Sequence, residues 1–360
     1  VDYVLKQISQ AIERHGLRAL AIKDDTFTAN RPRVLEICRQ MVKRDLNVVW
    51  SCDTRADYLD EELLYAMRRA GCQRISLGVE SGAPEILNAV KKKISPEKIL
   101  EVTRCAQRLG FQVRYYMMVG NRGENRETFK QSLDFLQQAK PHEYSFSLLT
   151  VYPGTEEFEI LCQQSADITA DIYFNSKMIE LERFAGDASS SQTILQATLQ
   201  AVNRQKTKNF NVAECQKILD AMPDLHLSHL ETALAYYQEG EMETAKAHLN
   251  RALELGYPFP EVVFNYLACI AATHGDITSA EIYLKKALKI SPNKLAQDNL
   301  GALRRWQEQG AALKNGIPPL RASHDFPVIS YRPAVQPLKP GPITVSSLEG
   351  TATFTIGPQT

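Results

Sequence analysis

The sequence predicts an α/β fold followed by an all-α repeat region, and three observations lead there. Between Leu17 and Thr155 five apolar strands alternate with helical stretches. Strands spaced about thirty residues apart are the mark of right-handed βαβ crossovers, and so of a parallel sheet. Each strand runs into polar or glycine-rich sequence at its carboxyl end: KDDTF, SCDTR, LGVESG, MMVG and TVYPGT. Beyond residue 226, small residues recur with a period of 35.

Residues 2–15 read as a helix with Val4, Leu5, Ile8 and Ile12 on one face. Gly16 breaks it, and Leu17 to Ile22 form the first strand, ending at Lys23, Asp24, Asp25 and Thr26. Residues 31–44 are helical with Val34, Ile37, Cys38 and Met41 inward; Leu46 to Cys52 return as the second strand, ending at Asp53, Thr54 and Arg55. Asp60 precedes a helix through Ala70 whose first turn holds Glu61 and Glu62 and whose last holds Arg68 and Arg69, as the helix dipole favours. Arg74 to Val79 is the third strand, followed by Glu80, Ser81 and Gly82. A short helix over 85–91 comes next, then a longer one opened by Ser95 and Pro96 and closed by Gly110. Gln112 to Val119 is the fourth strand, running into Gly120; residues 125–138 are helical; Tyr144 to Val151 is the fifth strand, leading to Tyr152, Pro153, Gly154 and Thr155. The apolar strands predict a sheet covered on both faces. Five strands are too few to close an eight-stranded barrel, which leaves an open doubly wound sheet or a partial barrel. Either places the strand ends on one rim, where a small-molecule site is expected.

At 360 residues the chain exceeds one core, so two domains and a tail are expected. Lys+Arg 42 against Asp+Glu 42 leaves no electrostatic footprint for nucleic acid or an anionic membrane. Seven scattered Cys without paired spacing or a secretory leader predict a reducing cytoplasm. No apolar run approaches the roughly 18 residues of a membrane span. Residues 166–222 read as a helical connector, with a loop at DASSSQT, 187–193. In the repeat region, placed at 223–308, Ala233, Tyr236, Gly240, Ala245, Leu249, Ala252 and Leu253 match Ala268, Ala271, Gly275, Ala280, Leu284, Ala287 and Leu288. Small residues there let paired helices pack closely, as in tetratricopeptide repeats, with 293–308 as a capping helix. Such repeats either offer a concave surface to a protein partner or cap the first domain. The Pro-rich stretch that follows makes 309–360 a flexible tail, in which TATFTI is an isolated strand.

The strand-end residues each carry two readings. Asp24 and Asp25 are able to hold a cationic group, or to cap a turn. Glu80, fenced by Gly78 and Gly82, needs a positive partner: a bound ammonium, or Arg55 on the neighbouring strand end. Ser81 offers a hydroxyl to a carboxylate ligand, or closes a turn. Gly120 and Gly123 permit close backbone approach but lack the three-glycine spacing of a pyrophosphate cradle. Tyr152-Pro153-Gly154-Thr155 suits the flank of a purine ring, or is a plain turn. The cysteines show no CxxC pair and read as buried small hydrophobes, without a zinc constellation.

Taken together, KDDTFT at 23–28, SCDTRADYLDEELLYAMRRAGC at 51–72, ISLGVESGAPEILNAVKKK at 75–93, MMVGNRGENRET at 117–128 and YPGT at 152–155 resemble the radical S-adenosylmethionine enzymes, nearest to the subgroup often carrying a cobalamin-binding domain. The resemblance covers residues 1–165 and implies a partial parallel (β/α) barrel. It implies S-adenosylmethionine bound at a 4Fe-4S cluster and reductively cleaved to a 5′-deoxyadenosyl radical, acting on a small-molecule or peptide substrate, with cobalamin as a further cofactor. By motif, Asp24, Asp25 and Thr26 would stand near the methionyl amino group. Glu80 and Ser81 would face the ribose or amino acid part, Lys92 the carboxylate, and Gly120, Tyr152 and Gly154 the adenine, with Arg55 a further cofactor-binding candidate. Asn121-Arg122 replaces the Leu-Pro usual between the two glycines of that loop. The family's CxxxCxxC motif does not occur in these 360 residues. Because Val1 already lies in a helix, the expectation is a fragment whose cluster cysteines precede Val1, inactive alone. The alternative is a non-catalytic adaptor, a degenerate barrel carrying protein-binding repeats.

Overall fold

A computed structural model of the chain describes residues 1–149, 151–164, 210–308, 320–322 and 351–353. Helix α1 (Asp2–His15) precedes β1 (Ala19–Ile22), α2 (Arg31–Lys43), β2 (Val49–Thr54), α3 (Glu61–Arg69) and β3 (Cys72–Glu80). Then come α4 (Pro84–Ala89), α5 (Pro96–Arg108), β4 (Gln112–Val119), α6 (Arg126–Ala139), β5 (Glu143–Leu148) and α7 (Glu156–Gln164). The caps act as the sequence suggests. Asp60 accepts from the Leu63 amide at 2.8 Å and Ser95 from Lys98 at 3.3 Å. Asn125 and Thr128 cap each other across the first turn of α6.

The strands lie in the order β5-β4-β3-β2-β1-β6, every neighbouring pair parallel. The sheet is open, a partial barrel. Its sixth strand, β6 (Thr351–Thr353), corrects one expectation: this part of TATFTI is not isolated but pairs with β1. β5 is shorter than expected, although the Leu149 amide still donates to Val119 O at 2.8 Å; Leu149 and Val151 pack with Phe158 and Leu161 of α7.

One sheet face is the core. Trp50, Cys52, Ile75, Leu77, Val79, Val113, Tyr115 and Met117 are each at most 1% exposed, against Ile37, Met41, Leu63, Met67 and Ala106 of the helices. The opposite face carries polar residues, of which Ser51, Arg74 and Ser76 are nonetheless buried. Ser51 and Asp53 of β2 lie in register with Arg74 and Ser76 of β3, and Ser76 and Gly78 with Arg114 and Tyr116 of β4. Successive side chains alternate faces, so this polar row runs the length of the strands.

The second region is helical: α8 (Val212–Ala221), α9 (His226–Glu239), α10 (Met242–Glu254), α11 (Pro260–Thr273), α12 (Ile277–Ile290) and α13 (Lys294–Glu308). Ala233, Ala245, Leu249 and Ala252 are fully buried, as are their counterparts Ala268, Ala280, Leu284 and Ala287. Gly240 and Gly275 turn at φ 86° and 80°, a conformation that costs a side-chain-bearing residue. These helices dock on the amino-terminal ends of the strands, where Ala19 and Val49 share a core with Phe210, Leu230 and Tyr266. Arg18 reaches both carboxylate oxygens of Glu261 at 2.7 and 2.9 Å and lies over the Phe259 ring. Arg68 meets Glu231 at 2.8 Å with both side chains buried. The repeat region therefore covers the end of the sheet opposite the strand-end motifs. Of the expected tail, residues 320–322 lie against the repeats rather than free, held by the buried amides of Asn265 and Asn299. The remainder of the tail, most of the connector and the 187–193 loop lie outside the described residues. No helix among the described residues is long and apolar enough to cross a membrane.

A cleft of about 450 Å³ at this junction is lined by Asn47, Arg69, Asp224 and His226, among others. Burial, with Arg68 nearby, pushes His226 down to about 4. A depressed histidine contributes stability that is present above its ordinary pKa of 6.5 and lost as pH falls toward 4. Between pH 7 and 4.5 the loss amounts to roughly 2–3 kcal/mol. Urea titrations at the two pH values are expected to show this excess acid sensitivity in the native chain and not in His226→Phe.

Candidate functional site

Parallel strands deliver their carboxyl ends to one rim, and the order of the sheet puts the motifs after β1 to β5 along it. After β1, Asp24 accepts from the Thr26 amide at 3.1 Å, so its carboxylate closes the turn, the plainer of its two readings. Asp25 is exposed and Thr26 half-buried. Lys23 bridges to Asp53 at the end of β2, 3.2 Å away. Arg55 does not pair with Glu80. Its guanidinium forks Asp57 at 3.0 and 2.8 Å and holds that carboxyl below its ordinary range.

Glu80 occupies the centre of the rim, and its backbone is unusual. The register with β4 shifts between Gly78 and Glu80, and Glu80 sits at φ 68°, a left-handed conformation that costs a residue other than glycine about 1 kcal/mol or more. Its carboxylate receives Lys92 Nζ at 2.6 Å, with the two side chains 19% and 13% exposed. A Cβ on Gly78 would stand 3.0 Å from Glu80 Oε1 and 3.1 Å from Lys92 Nζ, so the glycine leaves room for this pair. Ser81 behaves otherwise than expected. At 1% exposure its hydroxyl is shared with Ser132 Oγ at 2.9 Å and accepts from the Ala83 amide at 3.1 Å, which anchors the loop to α6.

Gly120, at φ 89°, donates its amide to Glu124, and burial pushes the Glu124 carboxyl up. The next residue carries a feature that the sequence did not flag. Asn121 is 4% exposed; its amide nitrogen donates to Met118 O at 3.3 Å, while its Oδ1 is buried without a partner among the described residues. Glu157 Oε2 is likewise buried and unpartnered, although its other oxygen meets Arg122 at 3.3 Å. Buried acceptors of this kind are uncommon and each calls for a donor. Lys91 pairs with Glu156, so the loop after β3 is tied to α7. Tyr152 is half exposed, and Gly154 turns at φ 86° behind it.

Below the rim, the polar sheet face continues the site. Arg74 and Arg114 each lie 3.8 Å from Glu143, and the Arg114 guanidinium is 5.0 Å from the Tyr116 ring centroid. Burial lowers Arg74, opposed by Glu143. Asp53, Arg74, Ser76, Arg114, Tyr116, Asn121 and Glu143 were absent from the set read from the sequence. For those on β2, β3 and β4 the signal was alternation, polar residues at every second position, whereas Asn121 stood out in the sequence only as part of the Asn-Arg pair between the two glycines.

The residues present suit a zwitterionic ligand with a ring amine: an acid–base pair, exposed Asp25 and an orphan acceptor share one rim. They do not suit an iron–sulfur cluster. Cys38, Cys52 and Cys72 are at most 1% exposed, and burial pushes the Cys38 thiol up to about 12, far from the thiolate a metal requires. Among the described residues no three His, Cys, Asp or Glu side chains gather as a metal site.

Comparisons with known proteins place these observations. The profile of the radical SAM superfamily matches residues 1–136, and that of the tetratricopeptide repeat matches 229–255 and 264–294. A protein named as an uncharacterized methyltransferase of Pyrococcus horikoshii is 27% identical over 159 residues, covering 44% of this chain and 35% of its own. An anaerobic magnesium-protoporphyrin IX monomethyl ester cyclase of Rubrivivax gelatinosus is 28% identical over 160 residues, covering 44% of this chain and 29% of its own. The chain thus spans about a third of the length of these curated relatives. Among solved structures, a radical S-adenosylmethionine methyltransferase of Kitasatospora setae, with cobalamin and a 4Fe-4S cluster bound, superposes at a TM-score of 0.41 with 21% identity, over 44% of this chain and 31% of that one.

Proposed function

From a radical SAM domain at residues 1–136 and tetratricopeptide repeats at 229–294 as premise, we propose that this protein serves a radical S-adenosylmethionine enzyme, binding that molecule at the carboxyl rim of its sheet. The observation that carries the reading is Glu80, held in a left-handed conformation at the end of the central strand and salt-bridged to Lys92. Backbone strain is retained where a side chain must be aimed, and the aim here is into the rim. Glu80 and Asp25 would face the ammonium and ribose side of the ligand. Lys92, drawn partly from Glu80, would face the carboxylate. Asn121 Oδ1 would accept from the adenine amine beside Tyr152 and Gly154.

When bound, S-adenosylmethionine supplies a sulfonium whose reductive cleavage starts radical chemistry. The chain's own part is to bind and orient it. No cysteine among the described residues fits the cluster that the family implies, so its ligands are assigned to none of them. The name of the Rubrivivax relative, a cyclase of a protoporphyrin ester, supports a small-molecule substrate; the polar sheet face, where Arg74, Arg114 and Glu143 stand, would be where it lies.

Anaerobic reconstitution of the complete gene product with iron and sulfide tests this reading. Charge-transfer absorbance near the visible range and release of 5′-deoxyadenosine under reduction are expected. Absence of both in a folded product would reduce the chain to an adaptor that carries its repeats on a silent barrel.

A further inference from the structure

The repeat region holds a feature independent of the rim's chemistry. Asn265 of α11 and Asn299 of α13 stand 34 positions apart, one short of the repeat period, and are 4% and 3% exposed. Buried amides are costly unless paired. These two are paired with each other and with a strand from far along the chain. Asn299 Nδ2 donates to Asn265 Oδ1 at 2.9 Å and to the Arg321 carbonyl at 2.8 Å. Asn265 Nδ2 donates to the same carbonyl at 3.1 Å, and the Arg321 amide donates to Asn299 Oδ1 at 2.8 Å.

Both backbone groups of Arg321 are therefore read, while its side chain is exposed and ignored. The flanking residues point the other way: Leu320 packs on the cluster of Ala268, Leu284 and Leu303, and Ala322 on that of Leu267 and Tyr266. This is the alternation of an extended peptide, with main-chain hydrogen bonds for affinity and alternate side chains in apolar seats. The first repeat carries Leu230 where the second carries Asn265, so the amide pair belongs only to the junction of the second repeat with the capping helix.

We infer that Asn265 and Asn299 form a backbone-reading peptide clamp whose occupant is this chain's own segment Leu320–Ala322, so that the repeats are closed to an outside extended peptide until that segment leaves. Because Arg321 is held through its backbone, the clamp tolerates other residues at that central position, and tethering gives the internal segment an effective concentration of order millimolar. A second peptide with an apolar residue on each side of a neutral or basic one is the competitor it fits.

The test uses the full chain and a fluorescent, end-capped peptide of residues 317–323, IPPLRAS. Arg321→Pro removes the amide that donates to Asn299 and releases the internal segment. Peptide binding is expected to tighten at least tenfold over the native chain, and adding Asn299→Ala to Arg321→Pro is expected to abolish the gain. Equal binding by native and Arg321→Pro chains overturns the inference, as does a gain that survives Asn299→Ala. Hydrogen exchange supplies a check that needs no added peptide. The Arg321 amide should be protected in the native chain and exchange as a free amide in Asn299→Ala, with the amides of α9 unchanged; an unprotected Arg321 amide in the native chain overturns the occupancy.

Discussion

Replacing Glu231 by alanine is expected to lower the unfolding free energy by about 3–5 kcal/mol, the cost of leaving a buried charge without its counterpart. Arg68 is 0% exposed and Glu231 1%, and they meet at 2.8 Å across the junction of α3 with the repeats. The guanidinium has little else to turn to: one further bond at 3.4 Å to the Cys72 carbonyl, a face toward the Phe111 ring, and an Nε with no partner. The pair itself adds little net stability, because desolvation of two ions offsets most of their attraction. Arg68→Met with Glu231→Leu is accordingly expected to cost far less than either single change, or to stabilise. By contrast the half-exposed pair of Arg69 with Asp224 should contribute under about 1 kcal/mol when broken. Urea titrations of the two single variants and the double variant decide this. A Glu231→Ala cost no larger than that of Asp224→Ala would show that water reaches the junction.

The same junction illustrates what was legible in the sequence and what was not. Helix and strand order could be read from periodicity, and Asp60 and Ser95 mark helix starts by local chemistry alone, whereas Asn125, read as helical, proves to be a cap. The repeats could be read because Ala233, Ala245, Ala252 and their partners recur at a fixed interval. Docking could not, since Arg68 and Glu231 are 163 positions apart and nothing local in either distinguishes a buried ion from a surface one. The polar sheet face was overlooked for a different reason. Runs such as Ile75, Leu77 and Val79 dominate the eye, while Arg74, Ser76 and Gly78 between them carry the period-two signal of a second, polar surface. At the rim, Ser81 and Arg55 show that residue type at a strand end does not fix its use. The choice between ligand and neighbour depends on geometry that arises only when Ser132 and Asp57 arrive.

Replacing Glu80 by glutamine is expected to weaken binding of S-adenosylmethionine by roughly 10- to 100-fold, on the proposed reading of the rim. A charge-assisted hydrogen bond contributes about 1.5–3 kcal/mol, and a tenfold change in affinity corresponds to about 1.4 kcal/mol. Glutamine keeps the length of the side chain and the left-handed backbone, so the fold should be preserved. Lys92 keeps an oxygen to donate to, so the stability loss should stay well below the cost of removing one partner of a buried pair outright. Glu80→Gly separates strain from function more sharply. It relieves the φ of 68° while removing the carboxylate, so binding should fall as far as in Glu80→Gln or further, without a matching fall in stability. Calorimetric titration of S-adenosylmethionine into the reconstituted gene product, beside thermal unfolding of the same samples, reads both quantities. If affinity is unchanged in both variants, Glu80 is only a structural partner of Lys92, and the rim loses the residue on which its assignment rests.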